Sequence, residues 1–328
     1  MKVLVTGSSG HLGEALVRTL RAQGREVVGL DVKPSPFTDL QGSITDAATV
    51  RRAMVGVGGV IHAATLHKPH VATHSRQDFV DVNVSGTLNL LEAATDAGVG
   101  AFVFTSTTSA FGLAMRPGPG QPAAWIDEDV RAVPKNVYGV TKTAAEDLCQ
   151  LIQQRSGMGV VVLRISRFFP EIDDDPDTRG AYEDANLKLN ELLYRRVDVA
   201  DGVDAHLRAL ERAPALGFGR YIVSATTPFS RRDAADLRAD APAVVRRLVP
   251  GYAAAYADRG WRMFPSLDRV YDNARARADL GWTPRYDFAY AVEQLAAGEP
   301  TISPLARAIG AKGYHEDAFE DGPYPVEC

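Results

Sequence analysis

The chain opens on a short apolar run, Met1-Lys2-Val3-Leu4-Val5, and passes at once into Thr6-Gly7-Ser8-Ser9-Gly10-His11-Leu12-Gly13. Leu12, Leu16 and Leu20 then recur at helical spacing until Gly24 offers a stop. This reads as strand, glycine turn and helix. Glu26-Val27-Val28-Gly29-Leu30-Asp31 follows as a second buried strand that ends in an acid. Each glycine of the turn has its own task. Gly7 permits the tight exit from the strand, Gly10 lets the backbone approach a pyrophosphate, and Gly13 lets the helix pack on the sheet. The amides that open the helix, at His11 and Leu12, then face an anion along with the positive end of the helix dipole. A carboxylate at Asp31 can accept from both ribose hydroxyls of an adenosine and repels the extra phosphate of NADP. Lys33 alone does not offset it. The cofactor these residues predict is NAD.

Further apolar runs recur with helical segments between them, at Val60–Ile61, Phe102–Phe104, Val160–Leu163 and Tyr221–Val223. Continuous rather than alternating apolar strands belong to a parallel sheet buried on both faces. The expected fold class is therefore α/β, a Rossmann-type doubly wound parallel sheet with a smaller, mostly C-terminal substrate-binding lobe. Residues 1–165 read as the NAD-binding domain, with a returning segment at about 197–226. Residues 166–196 and 227–297 read as the lobe, and 298–328 as an extension of unreadable role. Arg116–Pro122 reads as a surface loop and Asp173–Asp177 as an acidic turn.

A net charge of −5 argues against nucleic acid as a partner. Two cysteines, Cys149 and Cys328, give neither a disulfide framework nor a thiolate metal site. The first residues read as a core strand and not as a signal peptide. No apolar stretch approaches the ~20 residues that span a bilayer, so no membrane partner and a cytoplasmic location are expected.

The second strong pattern is Tyr138-Gly139-Val140-Thr141-Lys142. A spacing of four puts Tyr138 and Lys142 on one face of a helix. A phenol near pKa 10 is a poor base at neutrality, and lowering it to 7 takes about 4 kcal/mol. A nearby ammonium and the positive nicotinamide are expected to provide that. Ahead of the pair, Phe102-Val103-Phe104 leads into the hydroxyl run Thr105-Ser106-Thr107-Thr108-Ser109, at a strand's carboxyl end, where open α/β sheets bind ligands.

In this order and spacing the motifs resemble the extended short-chain dehydrogenase/reductases, specifically the NAD-dependent epimerase/dehydratase family, from Lys2 to about Val292. Thr6–Gly13 is similar to its glycine signature. Val60-Ile61-His62-Ala63-Ala64 is similar to the strand that passes under the cofactor, and Asn83-Val84-Ser85-Gly86-Thr87 to its cofactor-side helix. Leu163-Arg164, Val199-Ala200-Asp201 and Leu280-Gly281-Trp282-Thr283-Pro284 resemble weaker landmarks downstream. The resemblance implies Thr107, Tyr138 and Lys142 as catalytic residues. It also implies Ser43, Ile44, His62, Ala63, Ala64, Asn83, Tyr138, Lys142 and Ile165 at the cofactor, beside Gly7, Gly10, His11, Leu12, Gly13 and Asp31. It further implies a homodimer through helices containing Asn83–Ala97 and Tyr138–Gln154.

The departures are as informative. Phe111 stands where the family usually has tyrosine. Thr108-Ser109 stand where its dehydratases carry an Asp-Glu pair, which disfavours elimination of water. Arg167 replaces an asparagine that contacts substrate phosphate, Asp198 replaces a typical histidine, and the stretch between Pro170 and Val197 is short. The loop His67-Lys68-Pro69-His70, with His62 and His74 nearby, lacks a suitably spaced carboxylate or cysteine, so no metal is expected. Its reading is substrate recognition: His67, Lys68 and His70, with Arg167, would hold an anionic group, while Thr107 would hydrogen-bond the reacting oxygen with Thr108 also at the substrate; an exposed polar loop is the alternative for the histidine loop. The function expected is oxidation of a secondary hydroxyl of a sugar or nucleotide sugar, with epimerisation through a keto intermediate. A dehydrogenase of a smaller sugar acid and a non-catalytic NAD-binding sensor are the alternatives.

Overall fold

A computed structural model describes residues 1–315 together with 319, 322 and 324. Its centre is a sheet of seven parallel strands. They are β1 (Lys2–Thr6), β2 (Val27–Asp31), β3 (Leu40–Gln41), β4 (Val57–His62), β5 (Ala101–Thr107), β7 (Gly159–Ile165) and β8 (Phe218–Val223), in the order β3-β2-β1-β4-β5-β7-β8. A separate pair, β6 (Ala124–Ile126) and β9 (Arg269–Tyr271), is also parallel. The strand order reverses between β1 and β4, and a crevice opens there at the carboxyl ends.

The continuous apolar strands are explained by burial on both faces. Val3, Val5, Val103, Val161 and Leu163 turn to one side, onto helices His11–Ala22 and Val199–Leu216. Leu4, Phe102, Phe104, Val160 and Val162 turn to the other, where Leu90 and Leu91 of helix Gly86–Asp96 and Ala145 and Cys149 of helix Val137–Ser156 pack. A further cluster is built from Ala123, Leu189–Leu193 and the stretch Ala225–Leu295, with Tyr252, Tyr256 and Phe288 among its largest side chains.

Three elements are missing from the sequence reading. β3 has two residues, and β6 and β9 have three each. Such strands carry too little pattern to be seen before their partners are known. The acidic turn also differs from expectation. Asp173 and Asp174 are buried, and Asp175 caps helix Pro176–Ala181 through the amides of Asp177 and Thr178.

Trp282 locks the C-terminal part to the sheet. Its ring is fully buried, its Nε1 donates to the Asp201 carbonyl at 3.0 Å, and the Asp201 carboxylate accepts the amides of Arg285 and Tyr286. Trp282→Ala is expected to cost roughly 3–5 kcal/mol through the cavity it leaves. Urea unfolding of the two proteins measures that difference.

Candidate active site

One cleft of about 1130 Å³ runs along the carboxyl ends of β1, β2, β4, β5 and β7. At its floor the turn after β1 is packed too tightly for side chains. Gly7 has φ +73°, and a Cβ on it would stand 2.7 Å from the Ala64 nitrogen. A Cβ on Gly13 would stand 1.9 Å from the Gly7 carbonyl oxygen. Gly10 lines the cleft, and the nearest protein atom to a Cβ there would be the Gly7 oxygen at 3.3 Å, so the open side is the cleft itself. Gly10 offers no side-chain cap to the helix that follows, which leaves the amides at His11 and Leu12 to an anion. Asp31 is held by backbone donors: Ser9 N to Oδ2 and Lys33 N to Oδ1, both at 2.9 Å. Each oxygen keeps a lone pair for a ribose hydroxyl. A dinucleotide fits this set of donors and acceptors.

Ser43, Ile44, Ala63, Ala64 and Ile165 line the same cleft, as do Thr107, Thr108, Tyr138, His67, Lys68, His70 and Arg167. Three expected contact residues stand behind its wall. His62 is buried, with Nδ1 2.7 Å from the Thr6 hydroxyl and Nε2 2.9 Å from that of Thr87. Asn83 is buried too. It accepts from Leu66 N and donates to Leu66 O and the Thr141 hydroxyl, tying the loop after β4 to the helix that carries Tyr138. Lys142 donates to the Thr105 carbonyl at 2.7 Å and lies 4.0 Å over the Phe104 ring. Here these residues position others.

The helix Val137–Ser156 begins where Asn136 caps it through Gly139 N, and this brings Tyr138 to the cleft in the first turn. Burial pushes the Tyr138 phenol up to about 12, and the hydrogen bond with Thr107 opposes it. Lys142 is not among the groups that act on the phenol here. Its ammonium is directed to the Thr105 carbonyl, and burial brings it down to about 7 against the pull of Glu146. Lowering the phenol from about 12 to neutrality takes about 7 kcal/mol, well above the 4 expected for a free phenol.

The cations expected to hold an anion line the cleft but already have acid partners. Lys68 pairs with Asp174, and Arg167 lies 2.5 Å from Asp173 and 3.6 Å from Glu191. His67 and His70 are both held toward the neutral form. Burial holds His67 well below its ordinary value, and burial with His74 and His315 nearby brings His70 to about 4. His67 stacks on Phe169 at 5.3 Å. Among the described residues no group of three or more histidine, cysteine or acidic side chains is arranged to hold a metal ion.

Sequence reading missed several residues of this cleft. Lys135, Arg195 and Arg269 line its outer end, and Lys312, Gly313, Tyr314, His315 and Tyr324 line it from the C-terminal segment. Glu171, 2.8 Å from His11 Nε2, joins that segment to the glycine turn. None lies in a motif, and their relation is set by contacts across up to 303 residues of chain.

The model of the NAD dependent epimerase/dehydratase family matches residues 3–223. UDP-glucose 4-epimerase of Rhizobium meliloti (strain 1021) is 27% identical over 89% of this chain and 94% of its own. The 3 beta-hydroxysteroid dehydrogenase/Delta 5-->4-isomerase of Mycobacterium tuberculosis is 28% identical over 87% of this chain and 86% of its own. A short-chain dehydrogenase/reductase superfamily protein from Agrobacterium tumefaciens, solved with bound NAD, superposes with a TM-score of 0.64 at 26% identity, covering 90% of this chain and 96% of that one.

Asp31 generates a direct expectation. NAD should bind at least about 10-fold tighter than NADP, a difference of about 1.4 kcal/mol, and Asp31→Ser should narrow the gap. Isothermal titration with both dinucleotides measures it.

Proposed function

Because the chain belongs to the NAD-dependent epimerase/dehydratase family, we propose that it oxidises a secondary hydroxyl of a sugar or nucleotide sugar and returns the ketone as the epimer, with Tyr138 as the base. That it is an NAD-dependent enzyme of the epimerase/dehydrogenase kind follows from the family. The observation that carries the finer reading is the meeting of the Tyr138 phenol and the Thr107 hydroxyl at the cleft wall, where β5 ends beside the start of helix Val137–Ser156.

Tyr138 as phenolate takes the hydroxyl proton of the substrate. Thr107 donates to the reacting oxygen and holds it within reach. Lys142 fixes the Thr105 carbonyl and so the strand end that carries Thr107. NAD, when bound, would supply the acceptor for the hydrogen on carbon and a positive charge that favours phenolate. The residues that would hold it are the glycine turn, Asp31, Ser43, Ile44, Ala63, Ala64 and Ile165. A ketone that stays in the cleft, turns over and is reduced on its other face is the epimer.

A sugar suits the outer cleft better than a steroid does. Lys68, Lys135, Arg167, Arg195 and Arg269 line that end with Asp174, beside aromatic faces of Phe168, Phe169 and Tyr271. These cations are largely paired with acids, and the charged rim they form keeps its water or polar partners beside an oxygen-rich substrate, whereas an apolar ring system would strip that rim of water without replacement.

We also infer that two copies pair through helices Gly86–Asp96 and Val137–Ser156, since Val140 and Leu151 stand exposed on the latter at 52% and 40%. Light scattering should give about twice the chain mass of 35.3 kDa, and a strict monomer overturns this.

Tyr138→Phe should lower turnover by roughly 10²–10⁴-fold while NAD binding stays within about 2-fold, well under 1 kcal/mol. In the wild type the base form of a phenol near 12 grows as pH rises, so turnover should climb from pH 7 to 9. Incubation with NAD and a panel of sugars and nucleotide sugars, followed by absorbance and NMR, tests the reading. An altered sugar without net NADH supports it, and steady NADH growth identifies a dehydrogenase instead.

A further inference from the structure

The helix Pro304–Ile309 packs Leu305, Ala306 and Ile309 against the sheet core, and Gly310 at φ +62° turns the chain back across the cleft. The next residues are bonded on both banks. On one, Lys312 Nζ donates to the Ser9 carbonyl at 2.7 Å and pairs with Glu14. In the middle, the amides of Lys312 and Gly313 donate to Glu171 Oε1 at 2.9 and 3.1 Å. On the other, the Tyr314 ring meets Phe169 at 5.6 Å and His67 at 5.3 Å, and His315 Nε2 lies 2.9 Å from the Pro69 carbonyl. All four residues line the cleft. They form a strap from the glycine turn to the loop after β4.

The charges on this strap are informative. Glu14 is a buried carboxylate in the first turn of the helix whose N-terminus would face the diphosphate of a bound dinucleotide. Unopposed, it would repel that group. Arg18 Nε meets one oxygen at 2.6 Å and Lys312 meets the other. Two cations face the carboxylate of Glu14, and of the two only Lys312 lines the cleft. Glu171 is likewise compensated: burial works to raise its carboxyl, but His11 and the strap amides hold it down near 2, so it stays ionised and keeps the strap amides bound.

We propose that Lys312 is a cofactor-binding residue that meets the diphosphate of NAD from the C-terminal segment, and that the strap carrying it retains NAD between turnovers. The inference rests on NAD in this cleft and not on the role of Tyr138, and it is read by binding, so its failure is distinct from failure of the proposed epimerisation.

The experiment compares wild type with Lys312→Met, Lys312→Arg and Glu171→Gln, using NAD and, as a probe without phosphates, adenosine. Lys312→Met is expected to weaken NAD by about 10-fold, leave adenosine unchanged, and lose the salt dependence of NAD binding, while Lys312→Arg restores most of the affinity. Glu171→Gln leaves Lys312 in the chain but loosens the strap, and should speed NAD release in a displacement assay by about 10-fold or more. NAD affinity unchanged in Lys312→Met, or adenosine weakened by the same factor as NAD, overturns the diphosphate contact. NAD release from Glu171→Gln at the wild-type rate overturns retention by the strap.

Discussion

Three backbones meet at the first turn with no room for a side chain between them. The turn after β1, the end of β4 at Ala63–Ala64 and the start of helix His11–Ala22 approach so closely that a Cβ on Gly7 or Gly13 would fall inside neighbouring atoms. The rest of the site depends on that closeness. It aims the helix amides at the cleft, puts Ala63 and Ala64 in its floor, and lets Ser9 reach back to hold Asp31. A larger residue at Gly7 or Gly13 would push the helix away from the sheet and separate the two ends of the dinucleotide site together.

Buried ion networks hold the wall of the cleft formed by β5, β7 and helix Val137–Ser156 in place. Glu146 accepts from the Ser106 hydroxyl at 2.5 Å and from Arg164 through both oxygens, so helix Val137–Ser156 is bound to β5 and β7 in the same place. Glu191, fully buried, takes Arg195 at 2.5 Å and Arg196 at 2.6 Å, with Arg167 at 3.6 Å, where the sheet gives way to the outer lobe. Removing one member of such a group leaves a charge without compensation and typically costs about 3–5 kcal/mol. These networks also explain why cations that read as substrate contacts in the sequence are already engaged by acids.

How much was legible follows from the range of each interaction. The turn Thr6–Gly13, the acid at Asp31 and the Tyr138–Lys142 spacing are local patterns, and strands β1, β2, β4, β5, β7 and β8 announce themselves by continuous apolar runs. The two-residue β3 and the β6–β9 pair do not, because strands that short gain their identity from a partner far along the chain. Lys142 was placed on the correct face of its helix, but spacing could not tell that its ammonium turns to the Thr105 carbonyl. Asp173 and Asp174 look like a solvated turn until Arg167 and Lys68 are seen beside them. Lys312 and Tyr314 sit in a segment with no periodicity at all.

The bond between Lys312 and the Ser9 carbonyl spans 303 residues of sequence. During synthesis a chain emerges from its amino end at about 5–20 residues per second. The glycine turn, made first, therefore waits some 15–60 seconds for the residue that completes its far bank. Over that interval β1, β2 and β4 can already pair, and the first half of the chain can offer an open dinucleotide site to the cell. The bank that Lys312 forms closes only after that interval, so a chain that stops short of it would present the same glycine turn without this bond.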